Sequence, residues 1–99
     1  MAMRPDRVFV YILELDDGFM YIGYTPDLRK GLAEHREQKV VSTAGRHPRL
    51  RFAQIMAPKA VAERRVAELK RMVEDNPEQI QTMIDDFSAH MREMGYEDY

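Results

Sequence analysis

The sequence predicts an α+β domain, a small three-stranded sheet with helices packed on it, and three observations predict it. Two runs rich in β-branched and aromatic residues, 8–15 and 19–25, flank Asp16-Asp17-Gly18. That is a hairpin signal, with the glycine supplying a positive φ. A third run, residues 49–56, alternates polar and apolar residues as a half-exposed strand does. The other long stretches carry apolar residues at helical spacing. The predicted order is β-β-α-β-α-α.

Residues 1–6 are polar and predicted to fray. The first strand, Arg7 to Leu15, is apolar at nearly every position, so it reads as covered on both faces. The second runs from Phe19 to Tyr24. Thr25 is a suitable N-cap for the first helix, Pro26 fits its first position, and Asp27 suits its positive end. Leu28, Leu32 and Ala33 give that helix an apolar side, and it is predicted to end near Lys39. Gly31 sits inside it at a cost of about 1 kcal/mol relative to alanine. Val40 to Pro48 lacks a period and reads as a loop, carrying Arg46 and His47.

Arg49 to Met56 is the third strand, ended by Ala57-Pro58. The second helix runs from Lys59 to about Glu74, with Ala62, Val66, Leu69 and Val73 on one stripe. Asn76, Pro77 and Gln79 then make a capping-box signature. Ile80, Met83, Ile84, Phe87, Met91 and Met94 line the third helix, which ends at Gly95.

At 99 residues the chain is expected to form one domain, a core of residues 7–74 followed by an amphipathic helix over 76–95. The absence of cysteine excludes a disulfide scaffold, a thiolate zinc site and a cysteine nucleophile. No apolar run approaches a membrane span, so a soluble, cytoplasmic protein of bacterial or phage type is expected. The net charge of −2 conceals a split. Residues 29–71 carry 12 Lys/Arg against 4 Asp/Glu, while residues 72–99 carry 1 against 8. A basic middle suits a polyanionic partner such as nucleic acid.

The hairpin resembles the signature of the GIY-YIG nuclease superfamily. Tyr21-Ile22-Gly23 matches the second half of that motif, and Val10-Tyr11-Ile12 stands where Gly-Ile-Tyr would be, with the tyrosines ten positions apart. The likeness continues through Thr25-Pro26-Asp27-Leu28, Leu32-Ala33-Glu34-His35, residues 42–48 and Ala62-Glu63-Arg64-Arg65-Val66, covering about residues 8–74. It implies a β-β-α-β-α core with a three-stranded, mainly antiparallel sheet, to which the third helix is an addition.

The resemblance also implies a reaction: hydrolysis of DNA phosphodiesters with one divalent cation, Mg²⁺ or Mn²⁺. Glu63 would be the metal ligand, and Tyr11 or Tyr21 would position or deprotonate the attacking water. A free phenol has a pKa near 10, so a base role needs positive charge nearby. The family carries an arginine four residues before the helix histidine, and four before His35 is Gly31. Lys30 is the neighbouring cation, and Arg29, Thr43, Arg46 and Arg49 are the expected nucleic-acid contacts.

Each residue also has a plainer reading. The tyrosines serve as strand aromatics, Tyr24 above all; Glu63 is a solvated helix residue; His35 is a hydrogen-bonded histidine; Asn76 is a cap. Three functions follow: a metal-dependent endonuclease, a nucleic-acid-binding domain of the same fold that has lost turnover, and a protein-interaction module using the third helix.

Overall fold

The hairpin forms where the Asp-Gly step puts it. In this computed structural model, which describes residues 7–37, 45 and 47–95, strand β1 spans Val8–Glu14 and β2 spans Met20–Thr25. Between them Gly18 takes a left-handed φ of 86°. Its N–H donates to the Leu15 carbonyl at 2.8 Å, and the Asp17 carboxylate accepts from the Phe19 N–H. The closing pair Leu15 and Phe19 fixes the register, so Tyr11 lies opposite Gly23 and Leu13 opposite Tyr21.

Strand β3, Arg49–Met56, pairs antiparallel on the other side of β1, giving the order β2-β1-β3. The central strand is therefore paired on both edges, and Val10, Ile12 and Leu13 are at most 1% exposed. Three helices follow the predicted order: α1, Leu28–Arg36; α2, Lys59–Asp75; α3, Pro77–Glu93. The predicted fraying of residues 1–6, most of the predicted loop at 40–48, and the last residues of the predicted first helix lie outside the described residues.

Strand alternation splits the core in two. On one face Val8, Val10, Ile12 and Ile22 pack with Ala62, Val66 and Leu69 of α2 and Ile80 and Ile84 of α3. On the other Tyr11, Leu13 and Leu50 pack with Tyr21 of β2 and Leu28 and Leu32 of α1. A bulge in β3 serves both layers. Leu13 pairs with Leu50 while Ile12 pairs with Phe52, which leaves Arg51 as the extra residue. Leu50 and Phe52 have the same parity in sequence, yet they join opposite layers. Arg51 turns to Glu14, with Nε 3.0 Å from Oε1.

Two caps differ from the sequence expectation. Asp27, not Thr25, caps α1: its carboxylate accepts from the Lys30 N–H at 3.1 Å. Thr25 Oγ1 accepts instead from the Asp27 N–H, a local turn preceding the helix. Asn76 sits between α2 and α3, but its side chain donates to the Gln79 carboxamide and caps no backbone group. Helix α3 places the middle of its stripe on its own domain, with Ile80 and Ile84 buried, while Met94 beyond its last turn is exposed. Among the described residues no helix is long and apolar enough to cross a membrane.

Ile12 touches the main layer from the central strand, and Ile55 lies half exposed on an edge strand. Ile12→Ala is expected to cost about 2–5 kcal/mol. Ile55→Ala should stay within about 0.5 kcal/mol. Urea unfolding of both variants measures the contrast.

Candidate functional site

Three side chains from three elements meet on the α1 face of the sheet. Tyr11 comes from β1, Tyr21 from β2 and His35 from the last turn of α1. His35 falls on the same helix face as Leu28 and Leu32, spaced seven and three residues from them, so the packing that docks α1 also aims the imidazole. Its Nε2 lies 3.0 Å from the Tyr11 hydroxyl. The tyrosine rings are stacked with centroids 6.3 Å apart, and the imidazole meets Tyr21 edge-on at 4.8 Å.

Burial sets the electrostatics. Tyr11 and His35 are 4% and 2% exposed. Burial pushes the Tyr11 phenol well above its usual value, and Tyr21, through charge and hydrogen bonding, pushes the same way, as does the charge of Glu34. Burial also lowers His35 from 6.5, against a smaller opposing effect of Glu34. The imidazole is thus neutral at pH 7, and the proton it shares with Tyr11 lies on one atom or the other according to its tautomer. The phenolate form that a base role requires of Tyr11 is disfavoured, because burial, Tyr21 and the charge of Glu34 all oppose it.

Gly23 makes room for this arrangement. A Cβ there would stand 3.2 Å from the Tyr11 oxygen and 3.2 Å from Cε1 of Tyr21. The register places Gly23 opposite Tyr11, and the turn residues were enough to count that register from the sequence.

Glu63 lies elsewhere. It is exposed on α2, and its Oε2 accepts from the Tyr24 hydroxyl at 3.0 Å. Tyr24 belongs to the α2 layer, whereas Tyr21, three residues earlier, faces α1. Glu63 and the two motif tyrosines, given roles in one reaction by the resemblance, thus lie on opposite faces, because odd spacing along β2 separates Tyr21 from Tyr24. The two groups flank β2, which is an edge strand. Tyr24, read from sequence as a plain strand aromatic, is the group that engages the glutamate. The carboxylate raises the Tyr24 phenol, chiefly through that hydrogen bond. Lys59 Nζ stands 5.9 Å from the centre of the Tyr24 ring. No sequence signal pointed to Lys59, because its relation to Tyr24 depends on how α2 docks.

The other expected residues are dispersed. Arg29 and Lys30 are exposed on α1, and Arg49 is exposed at the start of β3 opposite Glu14. Thr43 and Arg46 lie outside the described residues. Gly31 is buried, and a Cβ there would lie 3.1 Å from Thr25 Cγ2 and 3.3 Å from Thr25 Oγ1. The glycine lets α1 close on the end of β2. Any side chain at 31 would press on Thr25, which would have to give by a few tenths of an ångström.

Among the described residues no three His, Asp or Glu side chains converge as a metal site. Glu63 offers one carboxylate with Tyr24 as its neighbour. That donor set suits a hard, oxygen-loving ion that keeps most of its water.

Fold and site together define a small α+β domain with a buried Tyr-His pair on one sheet face and a Tyr-Glu pair on the other. The chain belongs to the UPF0213 family. It is 43% identical over 67 residues to a UPF0213 protein of Streptococcus pneumoniae serotype 4 (strain TIGR4), covering 66% of this chain and 68% of that one. A second S. pneumoniae protein, from strain R6, is 42% identical over the same length. The solution NMR structure of a UPF0213 protein from Bacillus halodurans matches with a TM-score of 0.51 and 33% identity, over 77% of this chain and 83% of that one. No protein-family model matches the sequence.

Two predictions follow from the packing. His35 binds its proton less readily folded than unfolded, so from about pH 6.5 downward the unfolded state gains protons first and stability falls. Melting temperature should drop between pH 7.5 and 5.5, and His35→Gln should flatten that drop. Gly31→Ala should fail to gain the roughly 1 kcal/mol of helix propensity, because Thr25 is held by its bonds to Asp27 and cannot retreat freely. In a Thr25→Ser background, which removes the nearest methyl, the alanine should cost less; a double-mutant cycle of thermal melts measures the coupling.

Proposed function

We propose that the protein hydrolyses phosphodiester bonds of nucleic acid, as a divalent-metal-dependent endonuclease of the GIY-YIG type acting on DNA. The observation that carries this reading is the contact of the Tyr11 hydroxyl with His35 Nε2, with Tyr21 stacked beside it. A buried polar group of this kind is costly unless paired, and here two motif tyrosines meet the helix histidine of the same resemblance. The homologous UPF0213 proteins support the fold of the domain.

The residues suggest a proton path. A water against the half-buried Tyr21 hydroxyl gives its proton to that oxygen while Tyr21 passes its own to Tyr11 and Tyr11 to His35. Neutral tyrosines relay the proton, so no phenolate has to persist, and the neutral imidazole is the final acceptor. The water oxygen bonds to phosphorus, the bond to the leaving sugar oxygen breaks, and that oxygen takes a proton from solvent. Glu63 would hold Mg²⁺ or Mn²⁺, which when bound supplies positive charge to the phosphate. Arg29 and Arg49, together with Thr43 and Arg46, are the proposed contacts to the flanking backbone. A glycine at position 31, where the resemblance calls for an arginine, favours one rival, a nucleic-acid-binding domain of this fold that no longer turns over.

Labelled single-stranded, duplex and branched DNA, incubated with Mg²⁺, Mn²⁺ or EDTA, decides between them. Wild type should cleave with either metal and not in EDTA. Tyr11→Phe, which cannot relay a proton, should slow cleavage about a hundredfold or more. Absence of any cleavage, or a fully active Tyr11→Phe, contradicts the nuclease reading.

A further inference from the structure

The resemblance calls for an arginine four residues before His35 on α1, and that position is Gly31. A side chain at position 31 would press on Thr25. Arg29 and Lys30 are exposed, and neither has an ion-pair partner among the described residues. A different cation stands beside the Tyr24-Glu63 pair. Lys59 and Glu63 are four residues apart on α2, hence on one helix face. Both are directed to the same tyrosine: Glu63 Oε2 accepts from its hydroxyl at 3.0 Å, and Lys59 Nζ lies 5.9 Å from its ring centre.

We propose that Lys59 is the residue that contacts the substrate phosphate, held at the β2 edge by the face of the Tyr24 ring; this rests on the phosphodiester reading above. The chemistry is that of a compact ammonium on a flexible stem, which meets a non-bridging phosphate oxygen as a point charge. A phosphodiester brought near Glu63 is repelled by its carboxylate, and a cation one helical turn away offsets that repulsion. The Tyr24 ring attracts the ammonium and limits its swing. Tyr24 thereby acts as a positioning residue for both charges. The ligand class is a phosphodiester monoanion.

The test is an NMR titration of the whole chain with thymidylyl-thymidine, a single phosphodiester, in Mg²⁺. Shifts should centre on Lys59, Tyr24 and Glu63. Lys59→Met, which keeps the stem and removes the charge, should weaken binding about tenfold. Lys59→Arg should restore most of it, and Lys70→Met, at an exposed lysine further along α2, should leave it unchanged. An unaltered melting temperature in Lys59→Met separates the charge effect from a structural one. Shifts that follow Arg29 and Lys30 instead, equal affinity in Lys59→Met, or no shift in wild type at 59, 24 and 63 would each overturn the inference. Binding at Lys59 without DNA cleavage would uphold it while removing the nuclease reading, and cleavage unaffected by Lys59→Met would do the reverse.

Discussion

One buried polar contact, Tyr11 with His35, constrains how α1 rests on the β1-β2 hairpin once Leu28 and Leu32 have packed there. Both side chains are nearly removed from water. An unpaired hydroxyl or imidazole there would carry the full penalty of lost hydration, and pairing them removes most of that penalty. The contact also demands room and register. Gly23 must lie across from Tyr11, and Gly31 must let the helix close on Thr25. Two glycines that by propensity alone would only weaken a strand and a helix thus each face a close neighbour, Gly23 the tyrosine rings and Gly31 the Thr25 side chain.

That constraint explains how the site is divided. The sheet is one layer thick, and its side chains alternate, so Tyr21 and Tyr24 cannot serve the same face. The Tyr-His pair belongs with α1, and the Tyr-Glu pair belongs with α2. Strand β2 is the structure between them, and it is an edge strand whose outer side is unpaired among the described residues. On the proposed reading, a phosphate approaching that edge would meet the Tyr-His pair on one face and the Tyr-Glu pair on the other.

Much of the fold was legible in the residues. The Asp-Gly turn, the continuous apolar run of β1 and the stripes of α2 and α3 each carry a local signal, and the element order follows from them. Asp27 in place of Thr25 as cap was not legible, because both residue types cap well and only the chain path chooses. Nor was the bulge at Arg51 visible, since Leu50 and Phe52 look like one face of a regular strand. At the site, Tyr11, Tyr21 and His35 were each singled out from the sequence, and the structure brings them together. Tyr24 and Lys59 were missed for a physical reason: the contacts of Tyr24 with Glu63 and with Lys59 are tertiary, between β2 and α2, with no periodicity to announce them. Gly31 was read as an absence, and the missing signal was the Thr25 methyl that occupies the space.

The central claim, that Tyr11 donates its proton to a neutral His35, has a direct spectroscopic test. Long-range proton–nitrogen NMR correlations of the His35 ring at pH 7 report both charge and tautomer. The account predicts a neutral imidazole protonated on Nδ1, with Nε2 as the acceptor and with its nitrogen shift changed by Tyr11→Phe. An imidazolium, or a neutral ring protonated on Nε2, would contradict it.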